Sequence, residues 1–202
     1  MNKPLRTLIL IVLALVVVGA GAYVFSTKKA LSPSAPMIPV MQNETAKTYT
    51  SEEYGFSFEY PEGYVVTERE VGDAHRGHYQ IMLVEEANAT PPEGGEGPIA
   101  VTIDVYQNDI DKQPAMHWIT TTNIANIKLG DGQLKESTVG GEIAYMNTWS
   151  GLYEGKTTTF AHGDDIIAVS TTWMTPDDST LDVGEQVLTS FRFVSSEAVL
   201  PQ

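Results

Sequence analysis

An uncharged apolar run at residues 8–25 restricts the N-terminal part of this chain to one kind of structure. Twelve of its 18 residues are Leu, Ile, Val or Phe. A single segment in hydrocarbon has to satisfy its backbone hydrogen bonds internally, and only a helix does so. At ~1.5 Å rise per residue the run covers about 27 Å, close to the ~30 Å of a bilayer core. The sequence therefore predicts a transmembrane helix at residues 8–25.

Lys3, Arg6 and the α-amino group precede the run, and Lys28 and Lys29 follow it. This charge balance predicts residues 1–7 to be cytoplasmic and the rest of the chain extracytoplasmic. The competing reading is a secretory signal, with Ala20-Gly21-Ala22 as the cleavage site and a secreted product after Ala22. The run continues through Tyr23-Val24-Phe25 to a lysine pair, which favours the uncleaved anchor. Either reading exports the remainder. The chain has no Cys, so thiols say nothing about its compartment.

Residues 26–47 carry three prolines, small polar residues and no sustained apolar period, the composition of a linker. Residues 48–202 are long enough for one domain with a sizeable core. They hold seven Lys and Arg against 25 Asp and Glu, a net charge near −18. A polyanion needs clustered basic residues, so nucleic acid is excluded as a partner, and anionic headgroups are disfavoured. The expected partners are the membrane, through the N-terminal helix, and an envelope protein or glycan.

Period-2 alternation predicts strands at residues 56–60, 64–70, 79–85 and 99–106. The first two flank Pro61-Glu62-Gly63 and read as a hairpin. Ile99, Val101, Ile103 and Val105 alternate with polar neighbours, so one face of that strand is buried. Between residues 111 and 127 the period changes to three and four, with Asp111 and Pro114 at the start, which predicts an amphipathic helix. Strands at residues 134–139, 142–149, 156–161 and 166–173, joined by short Gly-rich or Asp-rich turns, predict an antiparallel meander. Thr175-Pro176-Asp177-Asp178 reads as the start of a helix running to residue 190, with Leu181, Val187 and Leu188 inward. The class is α+β with one antiparallel sheet, preceded by the single N-terminal transmembrane helix.

Tyr54-Gly55-Phe56-Ser57-Phe58-Glu59-Tyr60-Pro61-Glu62-Gly63-Tyr64 resembles the opening hairpin of PsbP-like and Mog1-like domains. Val187-Leu188-Thr189-Ser190-Phe191-Arg192-Phe193 is similar to their last helix and terminal Ser-Phe-x-Phe. The resemblance implies an α/β/α sandwich around an antiparallel sheet. It covers adaptors, photosystem assembly factors and envelope proteins, so it implies fold more than function. The exported anchor points to the envelope class.

Catalytic patterns are absent: there is no G-x-S-x-G, H-E-x-x-H or P-loop, and Ser26-Thr27-Lys28-Lys29 fits S-x-x-K by chance. Asp109-Ile110-Asp111 opens like a calcium loop, but Pro114 stands where glycine is required. His75 and His78, three residues apart beside Asp73, and the Asp164-Asp165 pair are the metal candidates. Tyr145, Trp149, Tyr153 and Trp173 lie on or between the meander strands and are the binding candidates, aromatics among threonines suiting glycan or peptide contacts. The expected function is a non-catalytic binding or scaffolding module of the cell envelope. No cofactor is expected, the open alternative being a divalent cation and a cation-dependent binder. A further alternative is a hydrolase whose site gathers residues distant in sequence.

Overall fold

The computed structural model describes residues 46–72, 77–90 and 97–194. The predicted membrane helix and nearly all of the linker lie outside them. Among the described residues no helix is long and apolar enough to cross a membrane.

The chain forms β1 (Lys47–Ser51), β2 (Phe56–Tyr60), β3 (Tyr64–Glu70), β4 (His78–Glu85) and β5 (Val101–Gln107). Helix α1 (Ala115–Thr121) and the 3-10 turn η2 (Asn126–Leu129, after η1 at Glu86–Asn88) follow. Then come β6 (Lys135–Val139), β7 (Glu142–Ser150), β8 (Glu154–His162), β9 (Asp165–Trp173), α2 (Thr180–Ser190) and β10 (Arg192–Phe193). Seven strands make one antiparallel sheet in the order β3-β4-β5-β9-β8-β7-β6. The predicted meander is its second half. Gly140 and Gly141, both at positive φ, make the two-residue turn between β6 and β7 that the right-handed strand twist favours.

The expectation of one sheet and of a β2–β3 hairpin is corrected. β2 pairs with β1 on one edge and β10 on the other, forming a separate three-stranded sheet. With both edges occupied, β2 has no free backbone for β3, and the Pro61-Glu62-Gly63 turn instead passes the chain to the large sheet. β1 went unpredicted because its sequence, Lys-Thr-Tyr-Thr-Ser, continues the linker composition. Its strand state comes from pairing with β2.

Successive residues on a strand face opposite ways, and here each face meets a helix. Val101, Ile103 and Val105 of β5 and Ile167 and Val169 of β9 form the main core with Val183 and Val187 of α2 and Phe56, Phe58 and Phe191 of the small sheet and its approach. Phe191 stacks on Phe56 with centroids 4.9 Å apart. On the opposite face Ile166 meets Trp118 and Ile119 of α1 and Ile127 of η2. The second cluster is the smaller one, so that face is less completely covered.

The helix expected over residues 111–127 is shorter at both ends. Asn108 clasps Gln113, its Oδ1 accepting from the Gln113 N–H at 2.9 Å and its Nδ2 donating to the Gln113 carbonyl at 3.0 Å. Lys112 within that loop sits at φ +42, outside helical space. At the other end the Thr120 and Thr121 hydroxyls bond back to the carbonyls of Met116 and His117, a habit that weakens helices. The second helix also starts late: Asp178 accepts from the Thr175 and Met174 N–H groups at 2.8 and 2.6 Å, closing its own turn before Thr180. Those two donors hold the exposed Asp178 carboxyl below the usual carboxylate range.

Candidate functional site

The sheet face turned toward α1 carries a polar band where most sheets carry apolar residues. Pairing register places Met82, Thr102, Ser170, Thr157 and Asn147 in one row across β4, β5, β9, β8 and β7. The next row is Gln80, Asp104, Ala168, Thr159 and Tyr145. Asp104, Asn147, Thr157 and Thr159 are all buried, so this band is not a solvated surface. Buried polar groups are tolerable only when hydrogen-bonded, which makes the partner of each one informative.

Asp104 is well supplied. Its Oδ1 accepts from His78 Nε2 at 2.8 Å and from Gln80 Nε2 at 2.7 Å. Its Oδ2 accepts from the Thr102 hydroxyl at 3.3 Å. His78 in turn stacks on Tyr106 with centroids 4.2 Å apart, and Tyr106 leans on Trp118 at 4.9 Å. Burial and the nearby Asp104 charge push the Tyr106 phenol well above its ordinary value. Further along, Thr157 Oγ1 accepts from Trp149 Nε1 at 3.0 Å and shares a hydrogen bond with Ser170 Oγ at 2.9 Å. Asn147 is the exception: it is 4% exposed, and its Nδ2 has no hydrogen-bond partner.

These groups surround a cavity of about 60 Å³ between Asp104, Asn147, Thr157 and Ser170 on the sheet and Trp118 and Ala125 above it. The segment after α1 is its roof. Trp149, whose Nε1 donates to the cavity-lining Thr157, owes its position to Gly155, since a Cβ at Gly155 would lie 2.3 Å from the indole ring. The indole therefore lies against the β8 backbone. Two larger and more open clefts exist, about 390 Å³ beside the Asn108 loop and about 440 Å³ between β6–β7 and α2. No buried side-chain atom without a hydrogen-bond partner lines either of them among the described residues.

The four aromatics expected to bind do not form one patch. Tyr145 and Trp149 share the groove face with Asn147, as their spacing requires. Tyr153 donates from its hydroxyl to the Gly97 carbonyl at 2.6 Å. Alternation puts Trp173 with Thr171 on the opposite face, toward α2. The metal candidates are likewise dispersed. His75 lies outside the described residues, and His78 is taken up by Asp104. Asp164 pairs with Lys112 at 2.6 Å, while Asp165 opens β9 opposite His162, its carboxyl raised chiefly by burial and then by Asp164. Among the described residues no three His, Cys, Asp or Glu side chains converge as a metal site would need.

His78 and Asp104 form a histidine–carboxylate pair, the orienting half of a nucleophilic triad. Among the described residues no hydroxyl hydrogen-bonds to the other His78 nitrogen. Sequence reasoning missed Asp104, Gln80, Asn147 and Ser170 as site residues. Only Asp104, a carboxylate inside the cleanest alternating strand, gave a signal.

A β-rich domain with one helix on each face of its main sheet and a buried polar groove under the smaller helix is thus the class of structure. Among solved structures, the chain is similar to the cyanobacterial PsbP (CyanoP) of Synechocystis sp. PCC 6803, at 12% identity and a TM-score of 0.49 over 74% of this chain and 92% of that one. It is equally similar, at 12% identity and a TM-score of 0.49, to a protein of Bacteroides thetaiotaomicron VPI-5482, covering 78% of this chain. It spans only 52% of that second protein. No protein-family model matches the sequence, and no curated protein matches it. The likeness is one of fold and says nothing of ligands.

Proposed function

We propose that this chain is a membrane-anchored, extracytoplasmic, non-catalytic binding module of the cell envelope whose ligand enters the groove beneath α1. The observation that carries the reading is the Asn147 Nδ2 group, buried against the cavity with nothing to donate to. A donor left in that state costs about 1–3 kcal/mol, a cost that a ligand acceptor removes. Asp104, Thr157 and Ser170 are held in place by hydrogen bonds, which leaves less to order on binding. The apolar run at residues 8–25 supports anchoring. The acidic charge of the folded part disfavours contact with an anionic lipid surface.

Hydrogen–deuterium exchange on the full chain tests the reading. Oligosaccharides, peptides and divalent cations are added class by class. One class is expected to slow exchange in residues 122–134, the roof of the groove. Slowing confined to the cleft between β6–β7 and α2, or no slowing with any class, overturns the groove as the binding surface.

A further inference from the structure

Resting on the groove reading above, the geometry points to a specific ligand chemistry: we propose that the groove takes the neutral, hydroxyl-bearing end of a glycan, with one hydroxymethyl arm reaching Asn147. Charge excludes the alternatives from both sides. No Lys or Arg lines the cavity and Asp104 does, so a phosphate or carboxylate would be desolvated beside a like charge. A cation finds little there either, because the Asp104 carboxylate already accepts from His78, Gln80 and Thr102.

What is left for a ligand is one donor, Asn147 Nδ2, next to the Thr157 and Ser170 hydroxyls. A hydroxyl group both accepts and donates. It therefore takes the Asn147 proton and gives its own to Ser170, which a carbonyl or an ammonium cannot do. The size agrees. About 60 Å³ exceeds what one water needs and suits a hydroxymethyl group, while a whole sugar ring has to stay at the mouth. A surface for that ring lies on the same sheet face: Trp149 and Tyr145 flank Asn147 along β7 and are half-exposed, aromatic surface of the kind that takes the apolar C–H face of a pyranose. Such a site discriminates by the hydroxyl, since losing it leaves a buried donor unpaired again.

The test titrates the full chain, in a detergent without a sugar headgroup, with oligomers of glucose, mannose, galactose and N-acetylglucosamine, reading heat and tryptophan fluorescence. One of them is expected to bind saturably, and its 6-deoxy form at least tenfold more weakly. Asn147→Leu is expected to remain folded, to bind that oligomer at least tenfold more weakly, and to lose most of the difference between the two forms. If no oligosaccharide binds while a peptide or a cation slows exchange in the roof, the glycan falls and the groove reading stands. If an oligosaccharide binds the wild type and Asn147→Leu equally, the ligand sits elsewhere and both readings fall. If nothing binds or slows exchange, both fall as well.

Discussion

Gly184 of α2 faces Thr171 of β9 so closely that a Cβ on the glycine would lie 2.1 Å from the Thr171 hydroxyl. The helix is thereby seated directly on the sheet. Thr171 Oγ1 is itself buried without a partner, sealed in by that approach.

Gly184→Ala sets two effects against each other. Alanine favours a helix interior by about 1 kcal/mol over glycine. Here the added methyl collides with Thr171 Oγ1 and comes within 3.0 Å of its Cγ2, and overpacking of that kind costs about 1–3 kcal/mol. The substitution is expected to destabilise. In a Thr171→Ala background, which removes both colliding atoms and an unsatisfied hydroxyl, most of the loss should disappear. A double-mutant cycle by urea unfolding gives the answer, and additive effects would sink the packing argument.

Gly155→Ala tests the seat of Trp149 beside the groove. The new methyl would overlap Trp149 Cε2 and Cζ2 at 2.3 Å, so the ring has to leave and its N–H loses Thr157. We expect a loss of about 1–3 kcal/mol and a red-shifted tryptophan emission as the indole meets water. An unchanged emission spectrum with unchanged stability would mean that Trp149 is free of β8 in solution.

Asp104 organises the donors around it, and removing it should cost more than replacing it. Asp104→Ala strands the His78 and Gln80 donors in a half-buried setting, for about 2–3 kcal/mol. Asp104→Asn keeps one acceptor oxygen for those two donors and turns its amide toward Thr102, whose hydroxyl also accepts, so its cost should be clearly smaller. Chemical denaturation of both variants ranks them. Equal losses would indicate that the charge matters more than the hydrogen bonds.

The sequence shows such things unevenly. Strand alternation is a local pattern, so β3 to β9 were legible to within two residues at each end, and Gly140-Gly141 marked its turn by composition alone. β1 was not legible because its order comes from pairing with β2. The small sheet was not legible because Phe191-Arg192-Phe193 joins Phe56-Ser57-Phe58 across more than 130 residues. The groove was hidden for another reason. A polar residue facing outward from a strand reads the same whether it meets water or a helix, and nothing local in Asn147 or Ser170 says that α1 and its following turn fold over that face. Tyr145 and Trp149 drew attention because aromatics stand out. The Asn147 between them, the more informative residue, did not.

Tyr106 makes alkaline stability a probe of the same face. Its pKa is raised by burial and then by Asp104, so the folded protein holds the phenol proton more tightly than the unfolded chain does. For a raised group the linked stability is fully present below the unfolded value, about 10, and is lost as pH climbs toward the folded value. Wild-type stability should therefore fall with rising pH above about 10 as the phenolate is forced out from beside Trp118. Tyr106→Phe removes that titration. Tyr49 and Tyr79 remain, Tyr79 pushed up to about 12 first by its hydrogen bond to Glu68, so the variant keeps part of the slope. Compared by urea unfolding across this range, the two proteins should differ by a constant amount below about pH 9 and diverge in favour of the variant above it. Parallel curves throughout would mean that water reaches the Tyr106 hydroxyl freely, and the aromatic stack of His78, Tyr106 and Trp118 would then not close that end of the groove.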